Sequence, residues 1–248
     1  MKTVFINCSP KKRFCASAYF LFLQRLFDGG KKVTAKLRTP ADHEYILTEL
    51  KDAQSVVFCL PLYVDGIPSH VLRFMEKIEA FCKENSLHPA IYCVANNGFI
   101  EGRQNEPLMQ SFEHFCSRAA LTWGGGVGIG GGVMLNVTRI LFLVDIALLL
   151  LNTVLSVINT GSFFPKGAWI SFGENAALLL YFNLGVLFCL ARMGSFICKY
   201  SAAGKKYTRI LIPSFIFILF ADVFFIIISL FEGGLFRGWL AKKEFKEE

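Results

Sequence analysis

The chain has 248 residues, a net charge of +7, an apolar content of 54% and a mean hydropathy of +0.47. Soluble domains average about 45–50% apolar residues, so this composition excludes an ordinary soluble domain and indicates that part of the chain lies in lipid. The basic residues cluster at the flanks of apolar segments rather than along an aromatic-rich groove, which excludes nucleic acid as the expected partner.

The first 132 residues alternate between strand and helix patterns. Short apolar runs predict parallel strands that are buried on both faces, and the segments between them have helical periodicity. The predicted strands are residues 2–8, 32–38, 53–60, 90–96 and 121–129, and the predicted helices are residues 16–27, 41–50, 68–85 and 106–119. This alternation predicts an α/β fold with a doubly wound five-stranded sheet and a domain boundary at residue 132.

Three predicted loops follow strand ends, where a ligand binds in such a sheet: SPKKRFCAS, PLYVDGIPS and NNGFIEGRQNE. In the first, Ser9, Ser17 and the backbone amides of the helix start offer hydrogen-bond donors to an anion, and three basic residues raise the local potential. The loop contains no glycine, however, and Ser9-Pro10 also fits a simple turn with a helix cap. A phosphate site and a structural turn therefore both remain open at this point.

The other two loops have their own chemistry. Tyr63 can stack on a flat ring, or it can simply cover the end of the sheet. Asn96, Asn97 and Gly98 predict positive φ angles and a close approach of backbone. The glycine-rich stretch WGGGVGIGGG predicts a last strand with close backbone packing, followed by a flexible junction.

Four motifs carry a resemblance to a known family: NCSPKK, PLYVDGIPSHVLRFME, ANNGFIEGRQNEP and TWGGGVGIGGG. Together they resemble the flavodoxin-like NAD(P)H-dependent FMN reductase family, especially its membrane-linked bacterial members, over residues 1–132. The resemblance implies the strand order 2-1-3-4-5, FMN as cofactor, and NADPH or NADH as the nicotinamide nucleotide that donates electrons. The first loop departs from the family pattern at Arg13, Phe14 and Cys15, where Asn, Gly and Thr are common.

The same resemblance implies a set of cofactor-binding residues. Ser9, Lys11 and Ser17 are expected at the FMN phosphate. One side of the isoalloxazine ring is expected to meet Pro61, Leu62, Tyr63 and Val64, and the other side Asn96, Asn97, Gly98, Phe99 and Glu101. Hydride transfer to a flavin needs alignment more than a protein acid or base, so we expect no catalytic proton-transfer residue.

The eight cysteines contain no C-x-x-C pair, and several lie in apolar strand patterns such as VVFCL and IYCVA. This context predicts reduced cysteines that pack as small core residues. We expect no metal or iron–sulfur site.

Residues 133–248 are predicted to form a helical transmembrane region. Long apolar segments cover residues 140–158, 176–198 and 210–231, which predicts three spans. The first segment also fits the helix that must cover the sheet after its last strand. We expect a multi-pass protein of the cell membrane with its N-terminal domain on the cytoplasmic side, where nicotinamide nucleotides are found. The roles of three charges near the spans, Asp145, Arg192 and Asp222, stay open.

These observations predict a membrane-tethered, FMN-dependent NAD(P)H oxidoreductase that passes electrons to an unknown acceptor, for which a quinone is a candidate. One alternative is a flavodoxin-like scaffold or partner-binding membrane protein without flavin. Another is an FMN electron carrier without its own NAD(P)H activity. The lipid bilayer is an expected partner, and a homo-oligomer is left open.

Overall fold

The computed structural model describes residues 2–12, 14–63 and 66–231. The chain divides into two compact units, residues 1–211 and residues 212–248. The first unit contains the whole sheet, and the second contains one described helix.

The first unit is built on a six-stranded, entirely parallel sheet in the order β2-β1-β3-β4-β5-β6. Its strands are β1 (Lys2–Asn7), β2 (Lys31–Lys36), β3 (Ser55–Pro61), β4 (Ala90–Asn96), β5 (Thr122–Gly130) and β6 (Gly204–Arg209). Its helices are α1 (Ala16–Leu26), α2 (Pro40–Leu50), α3 (Ser69–Glu84), α4 (Glu106–Arg118), α5 (Gly132–Thr160) and α6 (Lys166–Lys199), with a short 3₁₀ helix at Gly102–Asn105.

Strands β1 to β5 lie where the apolar runs predict them, and their order 2-1-3-4-5 is that of flavodoxin-like folds. The prediction of a five-stranded sheet is wrong by one strand. β6 carries the sequence GKKYTR, which has no apolar run, and it pairs with β5 at the edge of the sheet. The compact unit therefore extends beyond the predicted boundary at residue 132 to Leu211.

Helices cover both faces of the sheet. Helices α2, α3 and α4 pack on one face, where Val4, Ile6 and Phe58 point into the main core. The other face is covered by α1 and by the second half of α6. Six of the eight cysteines are buried, as their apolar context predicts.

The second half of α6 takes a role that differs from the predicted span over residues 176–198. Its side chains Val186, Leu190, Met193 and Ile197 recur at helical spacing and are buried. A Cβ at Gly194 would lie 2.5 Å from the carbonyl oxygen of Phe27, so glycine permits the close contact with the end of α1. This half of α6 is the helix that covers the sheet, a role that the sequence also allowed for the segment directly after β5.

The remaining helical length forms an antiparallel hairpin, defined here as α5 with residues 166–182 of α6. The two helices contact each other through rings such as Phe142 and Phe172, whose centroids are 5.3 Å apart. Most of their apolar side chains face away from the sheet and are exposed. Because β5 ends at Gly130 and α5 begins at Gly132, the junction is a tight turn at Gly131, whose φ is 70°. No flexible linker separates the sheet from the hairpin.

The hairpin leaves the sheet at its carboxyl edge, the edge at which the parallel strands end. α5 starts there after β5, and α6 then runs back along the sheet to the opposite edge, where the Cys198 sulfur lies 3.5 Å from the Gly29 amide. Among the described residues, α5 and α6 are long and apolar enough to cross a membrane. The second unit contains α7 (Ser214–Phe231), a shorter apolar helix within the predicted third span.

Candidate functional site

A cavity of about 230 Å³ lies at the carboxyl edge of the sheet. It sits between the loops that follow β1, β3 and β4, and the strand order reverses between β1 and β3. In open α/β sheets this reversal point is the place where ligands bind. The cavity is lined by Ser9, Lys11, Phe14, Cys15, Ala16, Ser17, Pro61, Leu62, Tyr63, Asn96, Asn97, Gly98, Val133 and Asn136.

Nine of the twelve predicted cofactor-binding residues line this cavity: Ser9, Lys11, Ser17, Pro61, Leu62, Tyr63, Asn96, Asn97 and Gly98. Phe99 and Glu101 do not. Phe99 is 61% exposed at the edge of the sheet, and Glu101 is an exposed loop residue. Val64 lies outside the described residues.

Hydrogen bonds to both the amide and the carbonyl of Ser9 hold the first loop in place. The Ser9 amide donates to Asn7 Oδ1 at 3.1 Å, and the Ser9 carbonyl accepts from Arg38 Nε at 3.2 Å. The Arg38 guanidinium also donates to the Lys11 carbonyl. Arg38 lies between β2 and α2, so a residue outside the predicted site fixes the loop in place. The sequence gives no sign of this role, because a single arginine between a strand and a helix is unremarkable; in the structure Arg38 is half-buried.

The loop obtains its turn without glycine. Phe14 adopts a φ of 50°, the left-handed region that glycine normally occupies. The next residues lead into α1, whose N-cap residue, Cys15, makes no side-chain capping bond. The first hydrogen bond of the helix runs from the Tyr19 amide to the Cys15 carbonyl. The earlier amides of α1 have no partner within the helix, so they are available to an anion at the cavity.

A central amide joins the three loops. Asn96 Nδ2 donates to Ser17 Oγ and to the Leu60 carbonyl, each at 3.0 Å. One side chain from β4 therefore connects the start of α1 with the end of β3. Both bonds are buried and so are protected from competition with water, and they link the loops at this spacing.

The prediction of positive φ angles at Asn96, Asn97 and Gly98 is wrong. None of these residues has a positive φ, and a Cβ at Gly98 would meet only ordinary contact, 3.7 Å from Val133. The asparagines instead act through their side chains: Asn97 Nδ2 donates to the Glu101 carbonyl at 3.1 Å. The left-handed turn in this region falls on Gly131.

Two residues of the cavity come from the first turns of α5 and were not predicted. Asn136 Nδ2 donates to the Phe14 carbonyl at 2.8 Å, and Val133 forms part of the wall. Both lie beyond the predicted domain boundary, so sequence reasoning assigned them to the membrane region. Asn136 is a polar residue in an apolar helix, and that was the available signal.

Two acceptor atoms in the cavity wall are buried and unpaired within the described structure: Oδ1 of Asn97 and Oδ1 of Asn136. A buried polar atom without a partner is costly, so the pair indicates a ligand that donates hydrogen bonds here. Burial raises the pKa of the Tyr63 hydroxyl, and burial raises the pKa of the Cys8 and Cys59 thiols strongly. These groups therefore remain protonated at neutral pH, and neither thiol is a nucleophile.

Searches of protein-family descriptions and of curated proteins find no match. Among solved structures, the chain is similar to the Trp repressor binding protein from Bacillus subtilis (18% identity, 50% of this chain and 85% of that one, TM-score 0.42). It is also similar to an NADPH-quinone reductase from P. pentosaceus (16%, 53% and 86%, 0.42) and to the NAD(P)H:quinone oxidoreductase from Methanothermobacter marburgensis (12%, 56% and 92%, 0.43). The strand order, rather than these distant likenesses, identifies the fold as flavodoxin-like.

Proposed function

We propose that this chain is a membrane-tethered flavoprotein that binds FMN in the cavity, oxidises NADPH or NADH, and passes the electrons to an acceptor, for which a quinone is a candidate. The observation that carries the proposal is the cavity itself. It lies where the strand order reverses, three loops of suitable chemistry enclose it, and Asn97 and Asn136 present unpaired acceptor atoms to it.

The residues present fit the parts of FMN. At one end, Ser9, Ser17 and Lys11 surround the open start of α1, where hydroxyls, amides and an ammonium group suit a phosphate. At the other end, Tyr63 lies at the mouth of the cavity and is 41% exposed, so its ring is available for stacking. The acceptor atoms of Asn97 and Asn136 suit the ring N–H or ribityl hydroxyls of the cofactor.

The flavin, when bound, supplies the chemistry of hydride acceptance and electron transfer. This chain contributes binding and alignment. The bonds of Asn96 hold the three loops at a fixed spacing, and Arg38 fixes the first loop. We expect no acid or base of the protein in this reaction, because hydride transfer to a flavin depends on alignment.

We propose that the hairpin provides the tether. Its surface exposes many apolar side chains, among them Leu141, Leu148, Leu151, Leu155 and Ile158, which a water-soluble domain does not tolerate in such number. At 1.5 Å per residue, residues 166–182 extend about 25 Å, close to the ~30 Å of a bilayer core. Both ends of the hairpin return to the same sheet, so the sheet lies on one side of the membrane, which we propose is the cytoplasmic side.

The test is a visible absorption spectrum of the detergent-purified protein after incubation with FMN and removal of the unbound cofactor, followed by anaerobic NADPH and then NADH. A retained flavin spectrum that bleaches with either nucleotide supports the proposal. A retained flavin that stays oxidised indicates an electron carrier, and a folded protein that retains no flavin indicates a scaffold or binding module.

A pair of double variants locates the site. Ser9→Ala with Ser17→Ala removes two hydroxyls from the phosphate end of the cavity and is expected to weaken FMN binding at least tenfold, as for lost bonds to a charged group. Ser111→Ala with Ser195→Ala changes two exposed serines outside the cavity and is the control. Equal flavin affinity in the two folded double variants would place FMN elsewhere.

A further inference from the structure

Three large aromatic side chains are exposed at the carboxyl edge of the sheet: Phe14 and Tyr63 line the cavity, and Phe99 follows Gly98 of its wall. Phe14 is 63% exposed, Tyr63 41% and Phe99 61%. They come from three different loops, those after β1, β3 and β4, and the chain brings them to one edge of the sheet. A single exposed aromatic residue is ordinary, but three at one edge of the sheet form an apolar rim, which indicates a binding partner.

The hairpin leaves the molecule at this same edge. Its base is anchored beside the rim, because Asn136 bonds to the Phe14 carbonyl and the Arg139 guanidinium lies 5.1 Å from the centroid of Tyr19 on α1. On the returning helix, Asn183 Oδ1 accepts from the Tyr19 hydroxyl at 2.9 Å. The apolar hairpin and the aromatic rim therefore belong to the same compact unit and are joined by these contacts.

The charge at this edge suits an anionic surface. Lys11 and Lys12 are exposed in the first loop, next to Phe14, and Arg103 is exposed after β4. Among the described acidic residues near this edge, Glu101 is exposed, Asp42 accepts from the Arg38 and Thr39 amides, and Glu106 at the start of α4 pairs with Lys205. Lysine and aromatic side chains are the residues that proteins place at the headgroup level of a bilayer.

We propose that this rim, defined as Lys11, Lys12, Phe14, Tyr63 and Phe99, rests on the headgroup layer of an anionic bilayer, so that the flavin cavity opens at the membrane surface. The inference rests on the proposed insertion of the hairpin, and it adds the orientation of the sheet. A second copy of the chain is the poorer occupant, because a two-fold contact centred on the rim would bring Lys11 and Lys12 of both copies into one interface, four like charges in all. An anionic lipid surface instead complements these charges.

This orientation has a consequence for the acceptor. A molecule dissolved in the bilayer can reach the cavity mouth without leaving the membrane, while a nicotinamide nucleotide approaches from water along the membrane surface. The loops themselves do not enter the hydrocarbon layer in this orientation. Their backbone polar groups stay at the hydrated headgroup level, where water can satisfy them.

The experiment measures the depth of single tryptophans in full-length protein reconstituted into vesicles of phosphatidylcholine and phosphatidylglycerol. The native tryptophans at 123, 169 and 239 are replaced by phenylalanine, and Phe99→Trp reports on the rim. Leu26→Trp is the matched control, because Leu26 is 59% exposed at the opposite edge of the sheet. A third protein keeps only native Trp169, on the hairpin. Each is quenched by lipid brominated near the headgroup end of its chains, and separately by aqueous acrylamide.

We expect the tryptophan at position 99 to be quenched several-fold more strongly by brominated lipid than the one at position 26, with the reverse order for acrylamide. Lys12→Glu should reduce the difference in anionic vesicles, whereas Lys51→Glu, at the opposite edge, should not. If Trp169 is quenched by lipid while positions 99 and 26 behave alike, the orientation is wrong and the tether stands. If lipid does not quench Trp169, the tether fails and the docking fails with it.

Discussion

At the scale of single residues, Phe14 shows how the first loop manages without glycine. Its left-handed φ costs a side-chain-bearing residue roughly 1 kcal/mol, and its exposed ring recovers little of that cost by packing in the first unit. Phenylalanine at this position therefore does not stabilise the first unit, and its exposed ring belongs to the rim that we propose contacts the membrane.

Phe14→Gly should consequently be more stable than Phe14→Ala by roughly 1 kcal/mol, because only glycine adopts this φ without strain. Both variants remove the ring, so the comparison isolates the backbone. Thermal unfolding in detergent, followed by circular dichroism, measures the difference. Equal stabilities would mean that the loop can leave the left-handed conformation.

Tyr63 is the residue whose ring we expect to lie against the flavin. Tyr63→Ala should weaken FMN binding by about 1 to 2 kcal/mol, or roughly 5- to 30-fold, because the stacking surface is lost. Tyr45→Ala, which removes an exposed tyrosine ring from α2, is the control and should bind FMN normally. Fluorescence titration of FMN gives both affinities, and a similar loss in the two variants would contradict a local role.

At the scale of elements, the glycines of β5 hold the cavity loops close to the sheet. A Cβ at Gly130 would lie against the Ile100 carbonyl and 2.6 Å from the Gly102 amide nitrogen. Both are backbone atoms, which cannot move aside as a flexible side chain can. The loop after β4 can approach the strand only because these side chains are absent.

Gly130→Ala should therefore destabilise the first unit by at least about 2 kcal/mol and displace the Asn97 loop, with a parallel loss of FMN binding. Gly167→Ala is the matched control, because no atom lies within 4 Å of a Cβ there and alanine favours helix. Unfolding midpoints and flavin titrations of the two variants test the contrast. A stable Gly130→Ala protein with normal affinity would show that the contact is not required.

Strand β6 is fastened to α4 by an ion-pair cluster. Lys205 lies 2.9 Å from Glu113 and 3.0 Å from Glu106, and the Tyr207 hydroxyl donates to Glu106. The hydrogen bonds to Glu113 and Glu106 raise the pKa of Lys205 above its ordinary 10.5. A raised lysine pKa contributes stability that is present below 10.5 and is lost as the pH rises through the higher folded value.

Lys205→Arg should remove part of the alkaline destabilisation, because arginine stays charged at high pH and can keep both partners. Between about pH 9 and about pH 12 the wild type should lose under about 1 kcal/mol more than the variant, as for partly exposed ion pairs. Unfolding midpoints across this range measure it. Parallel pH curves would show that the cluster does not hold β6.

At the scale of the whole first unit, we expect the sheet to fold without the hairpin. The two ends of the hairpin meet at Tyr19, which contacts Arg139 on α5 and Asn183 on α6. Burial raises the pKa of Tyr19 to about 12, so its hydroxyl remains a donor at neutral pH. Tyr19 therefore bridges α5 and α6 close to the two residues that a deletion of 142–180 would leave to be joined.

Residues 1–211 with residues 142–180 replaced by a short glycine-rich linker should be monomeric in buffer without detergent and should still bind FMN. Residues 1–211 with the hairpin intact should require detergent or lipid, because the exposed apolar side chains remain. Light scattering and flavin titration compare the two proteins. Aggregation of the shortened protein would show that the hairpin is needed for the fold of the sheet.

The amino-acid sequence by itself determined the alternation of strands and helices, the strands β1 to β5, and nine of the cavity-lining residues. It could do so because these features are local: buried parallel strands are short apolar runs, and the loops at strand ends contain turn-forming and polar residues. β6 is a charged segment without an apolar run, so no such pattern predicts it. Phe99 and Glu101 were predicted to bind the cofactor but do not line the cavity, because residue type does not show the direction that a loop takes.

Only the tertiary structure decided which apolar helices in the second half of the chain pack on the sheet and which remain exposed. An apolar helical segment suits lipid or a protein core equally well by composition. In α6 the second half packs on the sheet, whereas the first half leaves most of its apolar side chains exposed. β6 joins the sheet because α6 returns the chain to β5, a pairing between residues about 80 positions apart that no local pattern encodes. Asn136 enters the cavity for the same reason: its position depends on where α5 leaves the sheet.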